Sequence, residues 1–171
     1  MNSPVSRSAF STLIAVLNIP HIRLLCEHAG TDPEPYLKLC SKVLSFLRGE
    51  LRSEANLLRF HDAFCDWRQQ LAEDDSLNGR IADLSCSALY SAVESLFDPE
   101  CDDTALLLGG INELYDELAD LGGDADGLRG YWQSLQQEFH EQIADNARRP
   151  LPQAFFRWLA ETDTSLFGLA E

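Results

Sequence analysis

Apolar residues recur at helical spacing along most of this chain. Phe10, Leu13, Ile14 and Leu17 step by three, one and three, which places them on one helix face. Pro20 interrupts that run; Ile22, Leu25, Cys26 and Ala29 continue a second helix, which Gly30 is suited to end. Thr31 with Glu34 has the spacing of a capping box ahead of a third helix bearing Tyr36, Leu37, Cys40, Val43, Leu44, Leu47 and Leu51. Ser53 is the expected N-cap of a fourth, which carries Leu57, Phe60, Phe64, Trp67 and Leu71.

After the turn Glu73-Asp74-Asp75-Ser76, a fifth helix carries Ile81, Leu84, Ala88, Leu89, Ala92, Val93 and Leu96. Asp98-Pro99 ends it, because proline pushes the preceding residue out of the α region. Asp102, Asp103 or Thr104 then caps a sixth helix, whose stripe Leu107, Ile111, Leu114, Leu118 and Leu121 steps by four and three. Gly122-Gly123 closes that helix, and Asp124 caps a seventh with Leu128, Trp132, Leu135, Phe139 and Ile143. Arg148 and Arg149 suit its C-terminal dipole. Pro152 opens a last helix with Phe155, Trp158, Leu159 and Leu166; of Phe156 and Trp158, one is expected to be exposed.

The pattern predicts an all-α fold, a compact single-domain bundle of about seven to eight helices spanning residues 1–171. Composition agrees, with 28 leucines and 17 alanines against 4 valines and 5 threonines. No apolar run approaches the ~18 residues of a membrane span, so no membrane partner is expected.

Charge adds the most to this picture. The net charge is −15, and it is unevenly spread. Between Arg80 and Arg129 there is no Lys or Arg but there are 12 acids, and 10 of them lie from Asp98 to Asp126. Glu113, Asp116, Glu117 and Asp120 share the side of the sixth helix opposite its stripe. Like charges at that spacing destabilise a helix by roughly 0.2–0.5 kcal/mol per pair. Such a face suits steering toward a basic protein surface and disfavours nucleic acid as a partner. The expected partner-binding residues are therefore Asp98, Glu100, Asp102, Asp103, Glu113, Asp116, Glu117 and Asp120.

Motifs for chemistry are weak. Asp98, Glu100, Asp102 and Asp103 resemble a calcium loop only superficially, since position 6 is Asp103 rather than glycine and position 12 is Gly109 rather than glutamate. The turn is better read as helix-breaking, with its carboxylates at the next helix start. No His-x-x-x-His is present among His21, His28, His61 and His140. His61 and Cys65 share a helix face, an arrangement common in cores and only occasionally catalytic. No phosphate-cradling or dinucleotide loop occurs; Gly109-Gly110 reads as close packing or helix termination. No cofactor and no metal are expected. Ser87, Ser91 and Ser95, with Ala82, Ser85, Ala88 and Ala92 nearby, form a small-residue face that suits close packing within the chain, the seam of a possible homodimer or a partner groove.

The five cysteines are odd in number and lack Cys-x-x-Cys, so free buried thiols are expected. The short apolar run Ala9–Leu17 is followed by no Ala-x-Ala cleavage site, and a cytoplasmic location is expected.

The stretch Trp132 to Leu159 joins a Trp- and Phe-bearing helix through Pro152 to Phe155-Phe156-x-x-Leu159-Ala160. It resembles the last two helices of TorD-type redox-enzyme chaperones. The Pro-Asp-His signature of that family is missing, so no residue role is carried over. The leading expectation is a non-enzymatic protein-binding module: an inhibitor, immunity protein, chaperone or adaptor that docks a basic surface on its acidic face. The rivals are a metal-dependent enzyme or sensor using His61, His140 and nearby carboxylates, and a nucleic-acid mimic.

Overall fold

The structure, a computed structural model, describes residues 1–170. Eight helices form an all-α bundle: α1 (Pro4–Leu17), α2 (Ile19–Ala29), α3 (Glu34–Leu47), α4 (Glu54–Gln70), α5 (Leu77–Phe97), α6 (Thr104–Asp120), α7 (Ala125–Gln142) and α8 (Gln153–Glu161). Among the described residues there is no strand, only an isolated bridge between Thr164 and Ala170. No single helix is long and apolar enough to cross a membrane.

The caps explain most boundaries. The hydroxyls of Ser53 and Ser76 accept the N–H groups of Asn56 and Gly79, and Asp124 accepts that of Gly127. At α3 the expected box is not formed: the helix starts at Glu34 with Pro33 in the cap position, so Thr31 lies before the cap, and Asp32 accepts the Glu34 N–H. The α2 helix ends at Gly30 in the left-handed conformation, φ +67°.

The core is organised around α1 and α5, which pack along each other more extensively than any other pair. Ala9, Phe10, Leu13 and Ile14 are buried, and so are Ser6, Arg7, Ser8, Ser11 and Thr12 on the same helix. Burying hydroxyls is costly unless they are bonded. Here Ser8 donates to Ala92 O at 2.6 Å, Thr12 to Ser8 O at 2.7 Å and Ser6 to Ala144 O at 2.6 Å. The small residues of α5, Ser85, Ala88, Ala92 and Ser95, are buried on this contact. At Ala92 the two helices approach closely enough for the Ser8 hydroxyl of α1 to reach the α5 backbone.

Four local expectations are corrected. Leu121 is 70% exposed, because α6 ends at Asp120 before the stripe completes another turn; Leu118 is half-buried. Arg148 and Arg149 lie beyond the end of α7; Arg149 instead donates to Phe46 O at 2.9 Å and caps α3 from a distant part of the chain. Phe156 is buried and Trp158 half-buried, its indole N–H donating to Glu138 at 2.6 Å, so neither ring is free. Leu166 is buried, but in the segment after α8. Tyr115 and Tyr131 hold that segment by donating to Leu166 O and Thr164 O.

Candidate functional site

The eight acidic residues do not form one uniform surface. Asp98 leaves the helical region before Pro99, and its carboxylate accepts the Glu100 N–H at 3.0 Å. Asp102 accepts the Thr104 N–H at 3.2 Å, and this bonding holds its carboxyl below the usual range. Arg7 pins the turn to α1 by donating to Pro99 O at 2.8 Å. Asp103 is half-buried and accepts the Ser91 hydroxyl at 2.5 Å, tying the start of α6 to α5.

On α6 two of the four carboxylates are paired. Glu117 meets Arg80, and Asp116 meets Arg129. The arginines that flank the cation-free stretch thus fold back onto it. Glu113 and Asp120 stay exposed, with no cation within 4 Å among the described residues. The open acidic surface is therefore the turn from Asp98 to Asp102 together with Glu113 and Asp120.

Beside the turn runs a groove of about 300 Å³. Its floor is α5, with Ser87 and Ser91; Arg68 of α4 forms one wall, and Asp103, the N-cap of α6, with Leu106 of α6 the other. Gly110 faces α5 at the second wall: a Cβ there would lie 2.9 Å from Leu84 Cδ1, so a larger residue would have to displace the end of that side chain. Arg68 donates to Ser87 at 2.9 Å and pairs with Asp83 at 3.3 Å. Leu106 is 75% exposed and Tyr90 40% exposed at the groove mouth. Leu106 lies outside the stripe, one turn after Asp103, and nothing in the spacing of apolar residues marked it.

One turn along α5 from Tyr90, Glu94 lies 3.3 Å from His61 Nε2, and the Cys65 thiol lies 3.8 Å from the same nitrogen. Tyr90 covers the imidazole, with ring centroids 5.1 Å apart. His61 is buried, and its Nδ1 has no hydrogen-bond partner among the described residues. Burial, followed by the charge of Asp62, pushes the Cys65 thiol up, so it is held protonated and is a weak nucleophile. The Glu94 carboxylate, and then burial, raises Tyr90. His140 is exposed on α7 beside Phe139. Among the described residues no group of three or more His, Cys, Asp or Glu is placed to hold a metal ion.

The stretch Trp132–Leu159 that resembles the redox-enzyme chaperones covers most of α7 and α8, away from this groove. Comparison with protein-family models, with curated proteins and with solved structures finds no match to this chain.

Proposed function

We propose that this chain is a protein-binding module of the cytoplasm that takes a basic, apolar segment of a partner protein into the α5 groove. The observation that carries this reading is Leu106, a leucine 75% exposed that lines, with Tyr90 and Asp103, the groove on α5. An exposed leucine and tyrosine over a concave floor suit an apolar anchor. The carboxylates of the adjoining turn suit the partner's Lys or Arg, steering its approach. Five free thiols, three of them buried, support a reducing compartment.

The test uses two labelled helical peptides, one of leucine and lysine, the other of serine and lysine, titrated against the purified chain by fluorescence polarisation. The leucine-bearing peptide should bind tighter, and Leu106→Ala should weaken only that peptide. Equal affinity for both peptides, unchanged by Leu106→Ala, would reduce the surface to general charge attraction and reject the groove.

A further inference from the structure

We infer that a second cleft, between the end of α3 and α8, binds a peptide segment that carries a carboxylate beside a bulky apolar side chain. The cleft has a volume of about 350 Å³, with Arg48 and Arg157 at its sides and Leu151, Phe156 and Ala160 as its apolar floor.

Its arginines differ from those of the acidic half. Arg68, Arg80 and Arg129 each have a carboxylate partner. Neither Arg48 nor Arg157 has one within 4 Å among the described residues, although acids outnumber bases by 28 to 13 in the chain. Arg48 instead lies over the Phe156 ring, 4.6 Å from its centroid. Next to it, Arg149 lies 3.5 Å over Phe46 and spends a donor on the α3 C-terminus. A guanidinium laid on a ring is held in place while its edge donors stay open, which preorganises it for a carboxylate. Lone exposed arginines in so acidic a chain would be expected to gather its own carboxylates; these two form no ion pair within 4 Å, although Glu50 lines the same cleft.

The rest of the lining selects the ligand. A compact anion such as phosphate would leave the Leu151, Phe156 and Ala160 floor uncovered. Glu50, which also lines the cleft, can accept a backbone N–H, a donor that a peptide has and phosphate lacks. A peptide uses every group: its carboxylate meets Arg48 and Arg157, its apolar side chain covers the floor, and Gln153 and Glu50 serve its backbone. This site is separate in residues and in charge preference from the α5 groove, so each stands or falls alone.

The experiment titrates the full chain with a labelled, end-capped peptide of leucine and glutamate. Polyglutamate and inorganic phosphate serve as competitors. Saturable binding that weakens with salt is expected, with roughly tenfold or greater loss in Arg48→Ala/Arg157→Ala, since bonds to charged groups are the stronger class. Ala160→Trp fills the floor while leaving both charges, and should abolish binding. Leu106→Ala should leave it unchanged. Arg48, Arg157 and Ala160 are exposed, and an unaltered thermal midpoint verifies that each variant folds. Wild-type affinity in either the double variant or Ala160→Trp overturns the site. So does displacement of the peptide by polyglutamate or phosphate at equal carboxylate or phosphate concentration.

Discussion

Glu117 of α6 forms an ion pair with Arg80 of α5, across the seam between the two helices. The helix with the densest acidic face is thus partly neutralised by the last cation before the stretch that has none. Arg129 does the same for Asp116 from α7.

Removing these two cations should separate steering from stability. Each pair joins an exposed partner to a half-buried one at the surface, and solvent-accessible pairs contribute roughly 0.2–1 kcal/mol. Arg80→Gln/Arg129→Gln should therefore leave the denaturation midpoint nearly unchanged. The same variant exposes two more carboxylates and should raise the on-rate of the leucine-lysine peptide at low ionic strength. The gain should vanish near 1 M salt, where the Debye length is about 3 Å. Stopped-flow rates at low and high salt decide it; an on-rate unchanged at low salt would leave the face without a steering role.

The α6 stripe should behave as core at one end and as surface at the other. Leu114→Ala should cost about 2–5 kcal/mol by chemical denaturation, the range for emptying a buried leucine site. Leu121→Ala, at an exposed position, should stay within about 0.5 kcal/mol of wild type. Similar losses at both positions would mean that Leu121 is covered in solution.

Which features could be read from sequence follows from how local they are. The helices and the caps at Ser53, Ser76 and Asp124 depend on residues three or four apart, so spacing revealed them. The end of α3 did not yield, because Arg149, 103 positions away, caps it. Neither did the polar face of α1, whose hydroxyls enter the core because backbone carbonyls of α5 and the segment after α7 receive them. The acidic stretch is visible as a charge run, but the pairing of its α6 residues Glu117 and Asp116 with Arg80 and Arg129 needs the fold. The α5 groove and the Arg48–Arg157 cleft each join elements distant in sequence, so no motif announces them.

Thiol reactivity should divide the cysteines by position. Cys65 and Cys101 are half-buried, whereas Cys26, Cys40 and Cys86 are buried. Burial drives Cys86 up to about 12 and Cys40 higher still, so neither supplies thiolate near neutral pH. A disulfide-exchange reagent should consume two thiols in the native protein and the remaining three only as it unfolds. All five should be free in denaturant; an intact Cys pair there would contradict the expected compartment.

His21 should make the C-terminal segment sensitive to acid. Asn78 donates its amide to His21 O at 3.2 Å, which turns Oδ1 toward Nδ1 at 2.9 Å. Nδ1 therefore carries the proton, and Nε2 accepts the Ser165 hydroxyl at 2.7 Å. The Ser165 oxygen already accepts the N–H groups of Phe167 and Leu169, so it has little capacity to accept a third, from an imidazolium. Burial accordingly lowers the His21 pKa, opposed by its bond to Asn78. The unfolded chain then binds more protons than the native one below the ordinary histidine value of about 6.5. Stability should fall as pH drops through that value, at a slope of at most about 1.4 kcal/mol per pH unit from this group, and level off below the folded-state pKa. The difference in unfolding free energy between wild type and His21→Gln, followed from about pH 7 to about pH 5, isolates the contribution. Amide exchange at Leu166 and Leu169 should accelerate over the same range in wild type alone. A pH-independent difference, with exchange unaltered, would show that His21 stays neutral without strain and that the segment is held by Tyr115 and Tyr131.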